Sequence, residues 1–156
     1  MPVIDVTDLP AATPPRTPLL GLDLGDKTIG VAVSDRDRMI ASPIELIRRT
    51  RFTDDAKRLF ELMQDRGAQA IVVGLPVNMD GSEGPRCQSA RAFGRHLLKL
   101  RELPIAFWDE RLSTAAVQRM LTSEADLTRA RRHELVDKAA AAYILQGALD
   151  RLAAVR

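Results

Sequence analysis

Cysteine is almost missing: Cys87 stands alone in 156 residues. No internal disulfide can form, and no cysteine cluster exists for structural zinc. Aromatic side chains make up only 4% of the chain, so the core must be mostly aliphatic. No apolar run approaches membrane-spanning length, and no membrane association is expected. A secretory signal is absent as well, because residues 1–18 carry Asp5 and Asp8 and lack a continuous apolar stretch. Together these absences point to a reducing cytoplasm. Cys87 and His96 fit no ligand or nucleophile pattern and are given no role.

What is present is an ordinary globular composition, 46% apolar and 28% charged. The length suits one domain with a full core. Net charge is +2, from 23 cations and 21 acids, with a pI near 9.0. That balance is too mild to argue nucleic-acid binding by itself. Its distribution says more, since Arg86, Arg91, Arg95, Lys99 and Arg101 share one segment without an acid.

Residues 1–18 contain Pro2, Pro10, Pro14, Pro15 and Pro18, and read as a flexible arm outside a folded domain spanning 19–152. From Leu19 to Gly25 the chain alternates with period two. Leu20, Leu22 and Leu24 point one way; Gly21, Asp23 and Gly25 point the other. Thr28–Ser34 reads as a second strand joined to the first by a short turn, an antiparallel hairpin. A third strand falls within Met39–Ile47. Thr53 is placed to cap a helix running to about Arg66, with Gly67 as its stop. Ala70–Val73 is a wholly apolar strand of the kind buried in parallel sheets. A Gly/Pro-rich loop, Gly74–Pro85, leads into a helix over about 86–101, then a strand at Ile105–Trp108. A helix near Ser113–Leu121, a polar stretch from Thr122 to His133 and a last helix from about Glu134 to Leu152 complete the chain. The expected fold is α/β, a mixed sheet whose antiparallel hairpin leads into parallel strands, with helices on both faces.

Three carboxylates stand out. Asp23 lies mid-strand between glycines, where a buried lone acid is costly and the missing side chains clear room for a ligand; an edge-strand Asp answering Lys27 is the plainer alternative. Glu110 follows an apolar strand, at the end where open α/β sheets place ligand groups; a surface ion pair with Arg111 is the plainer alternative. Asp137 is in helical register with Ala141, Ile144 and Ala148, so it faces the protein; a dipole-stabilising Asp paired with Lys138 or a nearby Arg is the plainer alternative. If the three converge, their repulsion calls for cations. An oxygen-only donor set suits Mg²⁺ or Mn²⁺, which can support phosphodiester cleavage.

Four blocks occur in order: Gly21-Leu22-Asp23-Leu24-Gly25-Asp26-Lys27-Thr28-Ile29-Gly30-Val31-Ala32, Gly74-Leu75-Pro76-Val77-Asn78-Met79-Asp80-Gly81-Ser82-Glu83-Gly84-Pro85, Asp109-Glu110-Arg111-Leu112-Ser113-Thr114, and Val136-Asp137-Lys138-Ala139-Ala140. Together they closely resemble the bacterial YqgF (RuvX) family, over about Leu19 to Leu152. Thr28 stands where many members carry Arg. The resemblance implies an RNase H-like fold, nuclease activity linked to pre-16S ribosomal RNA processing, and a metal-binding catalytic trio at Asp23, Glu110 and Asp137. It brings nucleic acid, and the immature small ribosomal subunit, into view as partners.

Arg129, Arg131 and Arg132, in an expected loop just before Asp137, are the candidate phosphate contacts. Arg91, Arg95 and Lys99 recur every four residues and read as a solvated helix face. Trp108 and Tyr143 read as core. Three rival functions stand beside the ribosomal one. They are a Holliday-junction resolvase on branched DNA, an actin- or hexokinase-like ATPase, and a non-catalytic RNA- or ribosome-binding module. The ATPase would need a second domain for which the chain has no room. A resolvase would work as a dimer, and the sequence leaves monomer or homodimer open.

Overall fold

In the computed structural model, which describes residues 3–112 and 129–155 (side chains 3–111 and 139–155), the chain opens on a short strand, β1 (Val3–Ile4). A 3-10 turn (Val6–Asp8) and one turn of helix, α1 (Leu9–Ala12), follow. Then come β2 (Leu20–Leu24), β3 (Thr28–Ser34), β4 (Ala41–Arg48), α2 (Phe52–Arg66), β5 (Ile71–Leu75), α3 (Pro85–Leu100) and β6 (Ile105–Asp109). A 3-10 turn (Glu110–Leu112) leads out of β6, and a long helix, α4 (Arg129–Ala154), closes the described chain. The expected helix at 113–121 lies outside the described residues.

The strands of the described residues form one sheet in the order β1-β6-β5-β2-β3-β4. β2 and β3 are antiparallel, with Leu22 opposite Val31 and Asp23 opposite Gly30. β3 and β4 are antiparallel too, while β2–β5, β5–β6 and β1–β6 are parallel. The mixed α/β sheet expected from the alternating pattern is therefore present.

The period of two divides the core into two layers. Leu20, Leu22, Ile29, Val31, Ile71, Val73 and Ile105 pack with Leu59, Met63, Phe93 and Leu97 of α2 and α3. Ala32, Ala70, Val72 and Ala106 face the other way, against Ala141, Ile144, Leu145 and Ala148 of α4. The sheet residues on this second side are small, which lets α4 come close. A Cβ at Gly21 would lie 2.7 Å from Leu145 Cβ and 3.2 Å from the Ala141 carbonyl. Gly21 thus serves the helix, not a ligand.

Helix ends follow local chemistry with two departures. Gly67 ends α2 in the left-handed conformation (φ 71°), where it lacks the Cβ penalty. Thr53 does not cap this helix: Arg51 is the N-cap, and Thr53 lies in the first turn. The Asp55 carboxylate accepts from the Thr50 backbone N–H at 3.2 Å, supplying that end with negative charge instead. Leu100, although apolar, is exposed at the last position of α3.

The flexible-arm expectation is overturned. Val3 and Ile4 pair in parallel with Ile105 and Ala106. Val6 and Leu9 are buried in the α4 layer. The Arg38 side chain, itself buried, fastens the segment from outside: its Nε donates to the Thr17 carbonyl at 2.9 Å and its Nη2 to Thr13 Oγ1 at 2.7 Å. The prolines limit the segment's freedom before folding, and apolar residues at 3, 4, 6 and 9 supply the burial that holds it. No helix among the described residues is long and apolar enough to cross a membrane.

Leu9→Ala tests the docked segment. Leu9 is fully buried, so the change should cost about 2–4 kcal/mol in chemical denaturation. A free arm would give no change.

Candidate active site

Asp23 occupies the fourth position of β2, on the α4 side of the sheet. Its surroundings are cleared by glycines of neighbouring strands, not only by those beside it in sequence. Gly30 lies directly across on β3. On the other flank the β2–β5 register runs Leu20–Ile71, Gly21–Val72, Leu22–Val73, so Asp23 and Gly74 come next in line. Gly74 in turn pairs with Trp108 on β6, two residues before Glu110. A Cβ at Gly74 would fall 2.6 Å from Glu110 Oε1 and 2.5 Å from Ile144 Cδ1. Only glycine leaves room for Glu110 to lie across the end of β5 toward Asp23.

The two acids meet there. Glu110 hydrogen-bonds Asp23, and its pKa is pushed up from 4.5 to about 7. Burial is the largest cause, followed by the Asp23 charge and the hydrogen bond; Arg86 acts in the opposite sense. At neutral pH without a cation the pair holds a shared proton for part of the time.

Arg111 does not join this pair. Its guanidinium forks onto the Asp109 carboxylate, with Nη2 donating to Oδ2 at 2.6 Å and Nε at 2.9 Å. This contact lowers the Asp109 pKa. Arg111 also reaches the carbonyls of Asn78 and Met79, at 3.4 and 3.5 Å. The ion pair weighed for Glu110 is therefore made by its neighbour. The 76–84 loop has its own bracing. The Asn78 N–H donates to the Ser82 carbonyl at 2.9 Å, and Ser82 Oγ donates to Asp80 Oδ1 at 2.6 Å. Gly81 takes the left-handed conformation (φ 89°) at the turn. Met79, at the tip, is 90% exposed.

Asp137 lies in α4, one helical turn before Ala141, and the stripe used to orient it is buried: Ala141 and Ala148 are fully inaccessible and Ile144 nearly so. The Asp137 side chain lies outside the described residues. Among the described residues no third His, Cys, Asp or Glu joins Asp23 and Glu110. Arg129, Arg131 and Arg132 are not in a loop. α4 begins at Arg129 and runs through all three without a break, earlier than the expected start at Glu134. Residues 129–135 contain no Gly or Pro to stop a helix, which explains the longer element. Of the expected solvated stripe, Arg91 is bound to Glu83 at 2.7 Å and lies 5.1 Å from the Phe107 ring centroid.

The sequence reading missed a second group of cations. β4 ends beside β3's beginning, so Arg48, Arg49 and Arg51 stand at the same sheet end as Asp23. The run Arg48-Arg49-Thr50-Arg51, directly after an apolar strand, was the available signal.

A mixed sheet with acids at the ends of β2 and β6 and a helix laid over them defines an RNase H-like architecture. The fold is similar to Thermus thermophilus RuvC, with a TM-score of 0.53 at 13% identity, over 88% of this chain and 97% of that one. It is also similar to the yeast mitochondrial Holliday junction resolvase Ydc2, at TM-score 0.51 and 12% identity, over 97% and 85% of the two chains. Residues 17–151 match the family model RuvX, described as Holliday junction resolvase, and the chain belongs to that family. A protein of Phenylobacterium zucineum (strain HLK1) named "Putative pre-16S rRNA nuclease" is 72% identical over 153 residues, 97% of this chain and 98% of that one. A Caulobacter vibrioides (strain NA1000 / CB15N) protein of the same name is 62% identical over the same share of each.

The shared proton has a measurable consequence. Below 4.5 Glu110 is protonated in both folded and unfolded chains; between 4.5 and about 7 the unfolded chain loses the proton first. Stability should therefore fall as pH rises from about 5 to about 8 in the presence of a chelator. Glu110→Gln should flatten that part of the Tm–pH curve. Gly74→Val should crowd Glu110 and Ile144 together and lower Tm by several degrees.

Proposed function

We propose that this chain is a metal-dependent nuclease that hydrolyses phosphodiester bonds of pre-16S ribosomal RNA during ribosome biogenesis. The observation that carries the reading is the Asp23–Glu110 pair, two carboxylates in hydrogen-bond contact at adjoining strand ends. Acids are brought this close at a folding cost, and a cation offsets it. The names of the close relatives supply the RNA substrate. The compartment is then the cytoplasm, and an immature small ribosomal subunit is the natural carrier of the substrate.

The donor set fits a hard divalent cation. Both described acids offer oxygen only, and neither Cys87 nor His96 belongs to the cluster. Asp23 and Glu110 would hold Mg²⁺ or Mn²⁺, with Asp137 as the third ligand from α4. The ion, when bound, would supply a Lewis acid for the phosphoryl oxygen and lower the pKa of the attacking water. The protein's own residues set the conditions. Asp23 is fixed by the β2 ladder and does not move with the loops. Glu110, on the 3-10 turn after β6, gives up its shared proton when positive charge is present. Arg86 offsets part of the negative charge from one side. Arg129, Arg131 and Arg132, in the first turn of α4, would take phosphates of the bound strand.

The family description favours a second reading, cleavage of branched DNA. One assay separates them. The purified protein is incubated with precursor 16S RNA or a four-way DNA junction, with Mg²⁺ or Mn²⁺, beside Asp23→Asn and an EDTA control. We expect RNA cleavage that falls at least about a thousandfold in Asp23→Asn, without loss of fold, and stops in EDTA. Junction cleavage with the RNA left intact would move the assignment to DNA. Absence of both cleavage and metal binding would leave a non-catalytic RNA- or ribosome-binding module.

A further inference from the structure

A cavity of about 390 Å³ opens beside the strand end that carries Asp23, on the α2/α3 side of the sheet. Its walls include Gly25 and Asp26 from the β2–β3 turn, Arg49 and Thr50 from the β4–α2 connection, and Arg86 and Ser89 from α3. Three separate elements thus contribute polar groups to one hollow.

Neither arginine of the wall is taken up by a described carboxylate. Arg16, Arg58, Arg91 and Arg111 each form an ion pair with a carboxylate. Among the described residues neither Arg49 nor Arg86 does. Arg49 is nonetheless held in place. Its Nη1 donates to the Gly25 carbonyl at 2.7 Å, and its guanidinium carbon lies 5.7 Å from the Phe93 ring centroid. A guanidinium fixed by a carbonyl and a ring keeps its other N–H groups for an anion. Among the described residues Asp26 is the one acid of the wall, against two cations. The cavity also adjoins the first turns of α3, whose dipole favours negative charge.

Continuity with the carboxylates says which anion. Gly25 is two residues from Asp23 along the chain, and the charge of Arg86 is felt at Glu110. An anion seated here would be one step along a chain whose neighbouring phosphate lies at the acids. Among the described residues the walls hold no aromatic side chain on which a base could stack, but they do hold the Thr50 and Ser89 hydroxyls.

We propose that this cavity is a backbone subsite, in which Arg49 and Arg86 hold a phosphodiester that flanks the one cut and the Thr50 and Ser89 hydroxyls line its sugar. The proposal rests on the nuclease reading and adds where the strand runs: over the end of β2 and into the hollow beside α3.

The test uses full-length Asp23→Asn protein, which should bind without cutting. The probes are a fluorescein-labelled single-stranded RNA from the 16S precursor and a four-way DNA junction, read by anisotropy across a salt series. Arg49→Ala and Arg86→Ala should each weaken RNA binding about tenfold and lower the salt slope by about one. Arg95→Ala, on the exposed side of α3, should change neither. Arg86 carries the decisive variant, because no hydrogen bond of the folded chain depends on it among the described residues. A set of 2′-O-methyl RNAs, each with one neutral methylphosphonate linkage, then locates the contact. One linkage should weaken binding to the Asp23→Asn protein and have no further effect on its Arg86→Ala derivative. Arginine variants that bind like their parent, or linkages that act equally on both, would overturn the subsite and leave the nuclease reading standing. Failure of Asp23→Asn to bind either nucleic acid would overturn both.

Discussion

The closeness of α4 to the sheet governs the molecule. Sheet positions under the helix are Gly21, Ala32, Ala70, Val72 and Ala106, and the helix answers with Ala141 and Ala148. Small side chains on both surfaces bring backbone near backbone, and dispersion over that contact replaces the bulk of larger residues. The same closeness sets the position of Glu110. Ile144 of α4 and the Glu110 carboxylate both occupy the space above Gly74. Helix packing and acid placement therefore share one missing side chain. A change that lifts the helix also loosens the acid.

Charge is arranged around this constraint by assignment of partners. Asp109 engages Arg111, Glu83 engages Arg91 and Glu45 engages Arg58. Each pair takes up one cation with a carboxylate other than Asp23 and Glu110. Arg86 acts on Glu110 from outside, and its effect is smaller than those of burial and Asp23. The result is a close pair of carboxylates on a rigid frame, beside a sheet end rich in arginine. A cation and a polyanion satisfy both halves together, and neither alone does so as well.

Much of this could be read from residue order. Alternation revealed β2 and β3, and the oddity of Asp23 inside an apolar strand marked the site. Glu110 was found by its place after an apolar run. The reasons were less legible than the residues. Gly21 was read as clearance for a ligand, whereas it receives α4; the clearance comes from Gly30 and Gly74, which only strand register brings beside Asp23. The first eighteen residues were misread because proline content is a local signal, while their burial depends on β6 and α4, distant in sequence. Arg49 and Arg86 escaped notice for the same reason, being neighbours only across the fold. The arginines at 129–132 were placed in a loop because charge was taken as a sign of irregular structure, though arginine is a good helix former.

The pairing of β1 with β6 has a consequence for the order of assembly. Val3 meets Ile105, so about a hundred residues separate the partners. During synthesis the first segment has no strand to join until β6 has left the ribosome, and Leu9 has no layer to enter until α4 follows. Closing so long a loop costs more entropy than closing the β2–β3 hairpin. This segment is made well before the strand and helix that secure it. Until then the β6 edge stays open to other strands, and once closed the two-residue β1 leaves little edge for another chain to extend. This segment acts as a latch over the β6 edge.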